Sequence, residues 1–161
     1  MAQLRIAAAQ VNTRVGDLAG NADLIVEWSR KAAESGAHVV VFPEMALTGY
    51  PVEDLALRES FANASHAAVA QLAVRLADAG CGELAAYVGY LDVDSLGARN
   101  AAAVLYQGEV VATQFKHHLP NYGVFDERRY YQPGTTLDVI RLHGVEIGMV
   151  ICEDIWQDGG P

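Results

Sequence analysis

Cys152 closes an apolar run, Gly148-Met149-Val150-Ile151, and is followed at once by two carboxylates, Glu153 and Asp154. A thiol at the C-terminal lip of a strand, on a sharp strand-to-helix turn, can meet a substrate while backbone N–H groups behind it face the substrate oxygen. Cysteine suits that position because its thiolate is a strong nucleophile without further help. A free cysteine is equally at home as a buried apolar side chain, so the reading depends on what else arrives at the same place. Glu44 lies just past an apolar run ended by Pro43, and Lys116 terminates a later one. A carboxylate can act as a general base, and an ammonium can stabilise a developing oxyanion. Each of these residues also has an ordinary reading: a solvated loop acid, an edge charge, a core thiol. Strand ends on one edge of an α/β sheet face one cleft, and that convergence favours the chemical reading.

The elements that must position these side chains can be read along the chain. Residues 4–11 form an apolar strand expected to be covered on both faces. Asn21 is placed to cap a helix running to about Ser35, with Gly36 as its stop. Residues 37–42 are a β-branched strand that Pro43 ends by removing a ladder donor. An alanine-rich helix is predicted over 61–79, followed by strands over 87–91, 100–106 and 110–116, with Gln107-Gly108-Glu109 as a hairpin loop. Residues 117–134 are polar, aromatic and marked by Pro and Gly, too long for a simple connector and therefore a candidate functional loop. Strands over 137–142 and 145–151 pair around His143-Gly144, and Trp28 and Trp156 are expected in the core. This order predicts a mixed α/β sheet flanked by helices.

Composition narrows the function classes. The 161 residues suit one domain, and no apolar stretch approaches the ~20 residues of a membrane span. Eleven basic against twenty acidic side chains give a net charge of −9 with no basic stripe, which argues against nucleic acid and anionic membranes as partners. The two cysteines, Cys81 and Cys152, show neither C-x-x-C nor Cys/His metal spacing, so no metal site is expected and a reducing compartment fits. No signal-peptide pattern follows Met1, so a cytoplasmic protein is expected. His117 and His118, as neighbours on a continued strand, would point to opposite faces and so not ligate jointly. Asp126, Arg128 and Arg129 read as a solvated charge cluster.

The residues around the three side chains resemble the nitrilase, or carbon-nitrogen hydrolase, superfamily. The resemblance is carried by Phe42-Pro43-Glu44-Met45 with Thr48-Gly49-Tyr50, by Lys116 with Leu119-Pro120, and by Ile151-Cys152-Glu153-Asp154-Ile155-Trp156. Within that superfamily, Gly49-Tyr50-Pro51 with Glu53-Asp54-Leu55, and the stretch from Leu119-Pro120-Asn121-Tyr122-Gly123 to Val124-Phe125-Asp126-Glu127, resemble the glutaminase domain of glutamine-dependent NAD synthetases. The resemblance implies a four-layer αββα sandwich, of which residues 1–161 would be a partial, N-terminal portion, and a Glu44-Lys116-Cys152 triad. It further implies that Glu44 is the general base and that Cys152 attacks the glutamine carboxamide to give a glutamyl thioester with loss of ammonia. Lys116, with the backbone N–H of Glu153, would hold the oxyanion, and the ammonium would also favour the thiolate. Glu127 matches a further glutamate beside the triad, able to orient Lys116 or a water, and Tyr50 and Tyr122 are candidates to line the glutamine pocket. The amidase chemistry calls for no cofactor. ATP and Mg²⁺ are implied only for a synthetase domain converting deamido-NAD, expected outside residues 1–161, where a homo-oligomer is expected for the full-length protein.

Other readings remain open at this level. The same triad would serve a stand-alone aliphatic amidase or N-carbamoyl amidohydrolase. An incomplete sandwich would act as an inactive binding or assembly module. A Cys81–Cys152 disulfide would point to thiol redox chemistry.

Overall fold

The computed structural model describes residues 3–159. Its frame is a mixed sheet in the order β1 (Ile6–Ala8), β2 (Val39–Val41), β3 (Ala85–Asp94), β4 (Gly97–Tyr106) and β5 (Glu109–Phe115). β1, β2 and β3 pair in parallel, whereas β3–β4 and β4–β5 are antiparallel hairpins. Two reversals return β5 to the direction of β2, so the chain leaves both strands at the same edge of the sheet. That topology brings the residues following β2 and β5 together.

Helices α1 (Leu18–Glu34) and α2 (Glu59–Leu76) lie on one face, where Ile25, Val26, Leu72 and Leu76 pack with Val40, Val88 and Leu105. The cap of α1 differs from the expectation. Asp17 is the N-cap, accepting from the Gly20 N–H at 2.9 Å, while Asn21 is buried and donates through Nδ2 to Arg14 O and Leu47 O. A buried cross-linking amide and a cap share one residue type, and at Asn21 it is the cross-link that forms. α2 begins at Glu59 and is followed by a wide turn through Cys81, in which Gly80 has a φ of +79°.

On the opposite face lies a two-stranded sheet, β6 (Val139–Leu142) and β7 (Val145–Gly148), whose Ile140, Leu142 and Ile147 pack near Val39, Ala85 and Val104. Its turn, His143-Gly144, has positive φ at both residues, as does Gln107-Gly108 between β4 and β5, which matches the twist of antiparallel hairpins. The described residues thus form helix, sheet and second-sheet layers. β1 is not covered on both faces, with Ile6 56 % exposed, whereas β2 is buried on both at Val39 and Val40 and opens only at its end, where Val41 is 40 % exposed. β7 stops at Gly148 rather than 151, and residues 149–151 approach the nucleophile position outside the ladder, Met149 N–H donating to Asp138 O at 3.1 Å and Ile151 N–H to Asp154 Oδ2 at 3.1 Å. Trp28 packs half-buried at the edge of the helix-side core beneath Lys31, but Trp156 is 78 % exposed, contrary to its expected place in the core. It follows the turn at Cys152, beyond the last packed strand. No helix among the described residues is long and apolar enough to cross a membrane.

Candidate active site

Pro43 ends β2 and the next residues fold into a tight turn, Glu44–Thr48, across the end of the sheet. Met45 adopts a φ of +52°, a left-handed conformation that a non-glycine residue keeps only when its surroundings fix it. The support comes from β3. A Cβ on Gly89 would lie 2.2 Å from Met45 N and 2.8 Å from Pro43 O, so only glycine lets the turn rest on the strand, where Leu47 N–H donates to Gly89 O at 2.9 Å. Glu44 is thereby set against the interior of β3 and β4, beside Gly89 and Asn100.

Lys116 follows β5, its N–H donating to Asn100 O at 2.8 Å and its carbonyl accepting from Gly134 N–H at 2.8 Å. Its side chain is wholly buried. Nζ lies 2.6 Å from Glu44 Oε1 and 3.0 and 2.9 Å from Glu127 Oε1 and Oε2. Burial opposes the ammonium charge, but the two carboxylates outweigh it and hold Lys116 above the ordinary lysine range. Asn100, on β4, donates through Nδ2 to the same Glu44 Oε1 at 2.6 Å. Glu127 is buried in the 117–134 loop and also accepts from Tyr50 OH at 2.9 Å. Burial pushes Glu127 up, against the pull of Lys116.

Cys152 opens a short 3₁₀ turn, Cys152–Ile155, with Ile151 extended before it and a φ of +48° at Cys152 itself. The expected strand-to-helix turn is thus present in a compact form. Cys152 is exposed and free, and Cys81 is buried and free, so no disulfide joins them. Partial burial of the thiol, and then the Glu44 carboxylate by charge and hydrogen bonding, push Cys152 up, while Lys116 pulls it down. The ammonium does favour the thiolate, as expected, but burial and the Glu44 carboxylate outweigh it, so the net direction is upward. A cleft of about 170 Å³ opens here between Phe42, Pro43, Glu44, Gly89, Val150 and Cys152.

A larger groove, about 720 Å³, adjoins it on the loop side, lined by His118, Asn121, Tyr122, Arg128, Glu153 and Gln157 among others. Tyr122 OH donates to Glu153 Oε2 at 2.8 Å and Gln157 Nε2 to Glu153 Oε1 at 2.7 Å, and these bonds hold Glu153 below the ordinary carboxylate range. Tyr50, in contrast, has its hydroxyl committed to Glu127. His117 and His118 do not point apart. The strand ends at Phe115, their rings meet edge to face at 4.5 Å, and each has a ring nitrogen against a backbone carbonyl, Gly134 O and Gly159 O respectively. Both of their N–H groups donate to Asp154 Oδ1, at 3.1 and 2.7 Å. Arg129 pairs with Asp54 at 3.6 Å on the exposed surface.

The geometry therefore brings Glu44, Lys116, Cys152 and Glu127 into one cluster. Asn100, Gly89 and Asp154 belong to it too, although their residue types alone did not mark them. The interior glycine of a β-rich run was the one available signal.

Comparison with known proteins accords with this arrangement. The carbon-nitrogen hydrolase family matches residues 5–160. The chain is 42 % identical over 161 residues to the glutamine-dependent NAD(+) synthetase of Thermotoga maritima, covering all of this chain and 27 % of that protein. It is 44 % identical over 156 residues to the corresponding synthetase of Xylella fastidiosa, covering 95 % of this chain and 28 % of that one. The chain thus spans little more than a quarter of the length of these relatives. Among solved structures, the glutamine-dependent NAD+ synthetase of Acinetobacter baumannii in complex with ADP superposes with a TM-score of 0.84 at 34 % identity, covering 95 % of this chain and 28 % of that one. An amidase from Nesterenkonia sp. gives 0.78 at 25 % identity, covering 96 % and 57 %. The expected nitrilase-type α/β fold is borne out by these neighbours, and the chain belongs to the carbon-nitrogen hydrolase family.

Proposed function

We propose that this chain carries the amide-hydrolysing site of a glutamine-dependent NAD synthetase, releasing ammonia from glutamine through a thioester on Cys152. The observation that carries the reading is the buried Lys116 ammonium held by Glu44, with the same carboxylate acting on the Cys152 thiol. Glu44 Oε1 accepts from both Lys116 and Asn100, which leaves Oε2 as the oxygen that takes the thiol proton.

The sulfur then bonds to the carboxamide carbon, and the C=O electron pair moves onto oxygen. Lys116 and the Glu153 N–H stabilise that oxyanion. Glu44 returns its proton to the amide nitrogen, the C–N bond breaks and ammonia leaves. Glu44 next deprotonates a water, which attacks the thioester. The C–S bond breaks, glutamate departs and the thiol regains its proton. Glu127 orients Lys116 through a hydrogen bond to Oε1 and an ion pair at Oε2, and Tyr50 orients Glu127. Tyr122 contributes to the substrate groove.

Glutamine is favoured over a free aliphatic amide or N-carbamoyl amine by the relatives' identities, 42 % for the Thermotoga maritima synthetase against 25 % for the amidase. The amide chemistry needs no cofactor. ATP and Mg²⁺ would belong to a synthetase reaction and take no part in this hydrolytic step. Ammonia release from glutamine by the full-length protein and its Cys152→Ala variant tests the reading. Release is expected only from the unsubstituted enzyme, and retained release in the variant would sink the assignment.

A further inference from the structure

We propose that Asp154 is a positioning residue of this site, setting the Cys152 thiol against Lys116 and Glu44; the inference rests on Cys152 being the nucleophile. Of the two carboxylates after Cys152, Glu153 turns to Tyr122 and Gln157, whereas Asp154 turns back to the backbone. Its Oδ2 accepts from Ile151 N–H at 3.1 Å, and its own N–H donates to Ile151 O at 3.1 Å, a reciprocal box around Cys152. Its Oδ1 accepts from His117 and His118 N–H at 3.1 and 2.7 Å. One carboxylate therefore holds the residue before the nucleophile and the two residues after the lysine.

Two features make that link consequential. The Lys116 backbone is itself fixed to β4 and to Gly134, so Asp154 ties the cysteine turn to an already rigid point. Cys152, with a φ of +48°, occupies a region that a non-glycine residue leaves unless its surroundings hold it there. Removing the carboxylate lets that dihedral relax and carries the sulfur away from Glu44. An amide in place of the carboxylate is a sharp probe. Whichever way it is turned, its NH₂ faces backbone N–H donors, so at least one of the two sets of bonds is lost.

The test is Asp154→Asn in the full-length protein. The expected result is a loss of kcat for glutamine of about 100-fold with KM little changed, the scale on which a ~1 Å misplacement of reacting groups acts. The second readout needs no substrate: alkylation of Cys152 by iodoacetamide against pH, followed by mass spectrometry of the Cys152 peptide. Its midpoint is expected to fall toward that of a free cysteine, because the thiol leaves the burial and the Glu44 charge that raise it. A folded variant with kcat within about threefold of the parent and an unshifted midpoint would overturn the proposal. If the parent fails to hydrolyse glutamine yet the variant's midpoint falls, the positioning role stands and the substrate reading fails. If the variant does not fold, amide exchange in the parent decides: slow exchange at His117, His118 and Ile151 supports the link, and fast exchange at all three overturns it.

Discussion

Lys116 Nζ lies 2.6 Å from Glu44 Oε1, with the lysine side chain 0 % and the glutamate side chain 19 % exposed. The contact joins a buried cation to a carboxylate that still reaches the cleft. With Glu127 on its other side, the ammonium faces two carboxylates, and the site carries an excess of negative charge beside the thiol.

That charge balance fixes the sign of a pH experiment. Burial and Glu44 raise the Cys152 thiol, and Lys116 lowers it. Alkylation of Cys152 should therefore have its midpoint above the ordinary cysteine value of about 8.5. Glu44→Gln removes a raising charge and leaves Lys116 in place, so the midpoint should fall even as turnover is lost. A rise on that substitution would contradict the charge assignment.

Asn100 shares Glu44 Oε1 with Lys116 at 2.6 Å. A hydrogen bond to a charged group contributes about 1.5–3 kcal/mol, so Asn100→Ala should lower kcat by between about 10- and 100-fold with KM nearly constant. Steady-state kinetics on glutamine check the split.

Glu127 sets function against stability. Its folded pKa is raised, chiefly by burial, so its contribution to stability is present below the unfolded carboxylate pKa and is lost as pH rises through the folded value. At neutral pH the ionised form therefore weighs against the fold. Glu127→Gln should leave Tm at neutral pH no lower than that of the parent and flatten its dependence on pH above about 4, while kcat falls about 10-fold or more as Lys116 loses a fixed partner. Thermal melts across pH, paired with ammonia release, measure both.

Gly89 carries the Glu44 turn. A methyl group there would meet Met45 N at 2.2 Å, and backbone cannot yield as a side-chain end can. Gly89→Ala should cost ~3 kcal/mol, the upper range of overpacking, and be read as a lower urea midpoint with loss of activity.

Much of this was legible in the amino-acid order. Pro43 after a β-branched run located the end of β2, and the Gly-marked turns at 107–108 and 143–144 located two of the three hairpins. The placement of Glu44 and Lys116 just past β2 and β5 followed from those punctuation marks, whereas Cys152 lies four residues beyond the end of β7. What was not legible depends on contacts across the fold. Asn100 reaches Glu44 over 56 residues and Asp154 reaches His118 over 36, and neither residue type marks such a bond in advance. Asn21 looked like a cap because caps and buried cross-linking amides use the same chemistry. Trp156 looked like core because size and apolarity do not say on which side of a turn a residue falls. The net direction of the Cys152 shift was not legible, because it depends on burial and on Glu44 across the fold as well as on Lys116.

The most direct measurement is the mass of the Cys152 peptide after the full-length protein is mixed with glutamine and quenched in acid during turnover. One added glutamyl group on Cys152 is expected, absent from Cys81 and abolished in Glu44→Gln. Continued ammonia release with Cys152 unmodified throughout, or release that persists in Cys152→Ala, would contradict the thioester route.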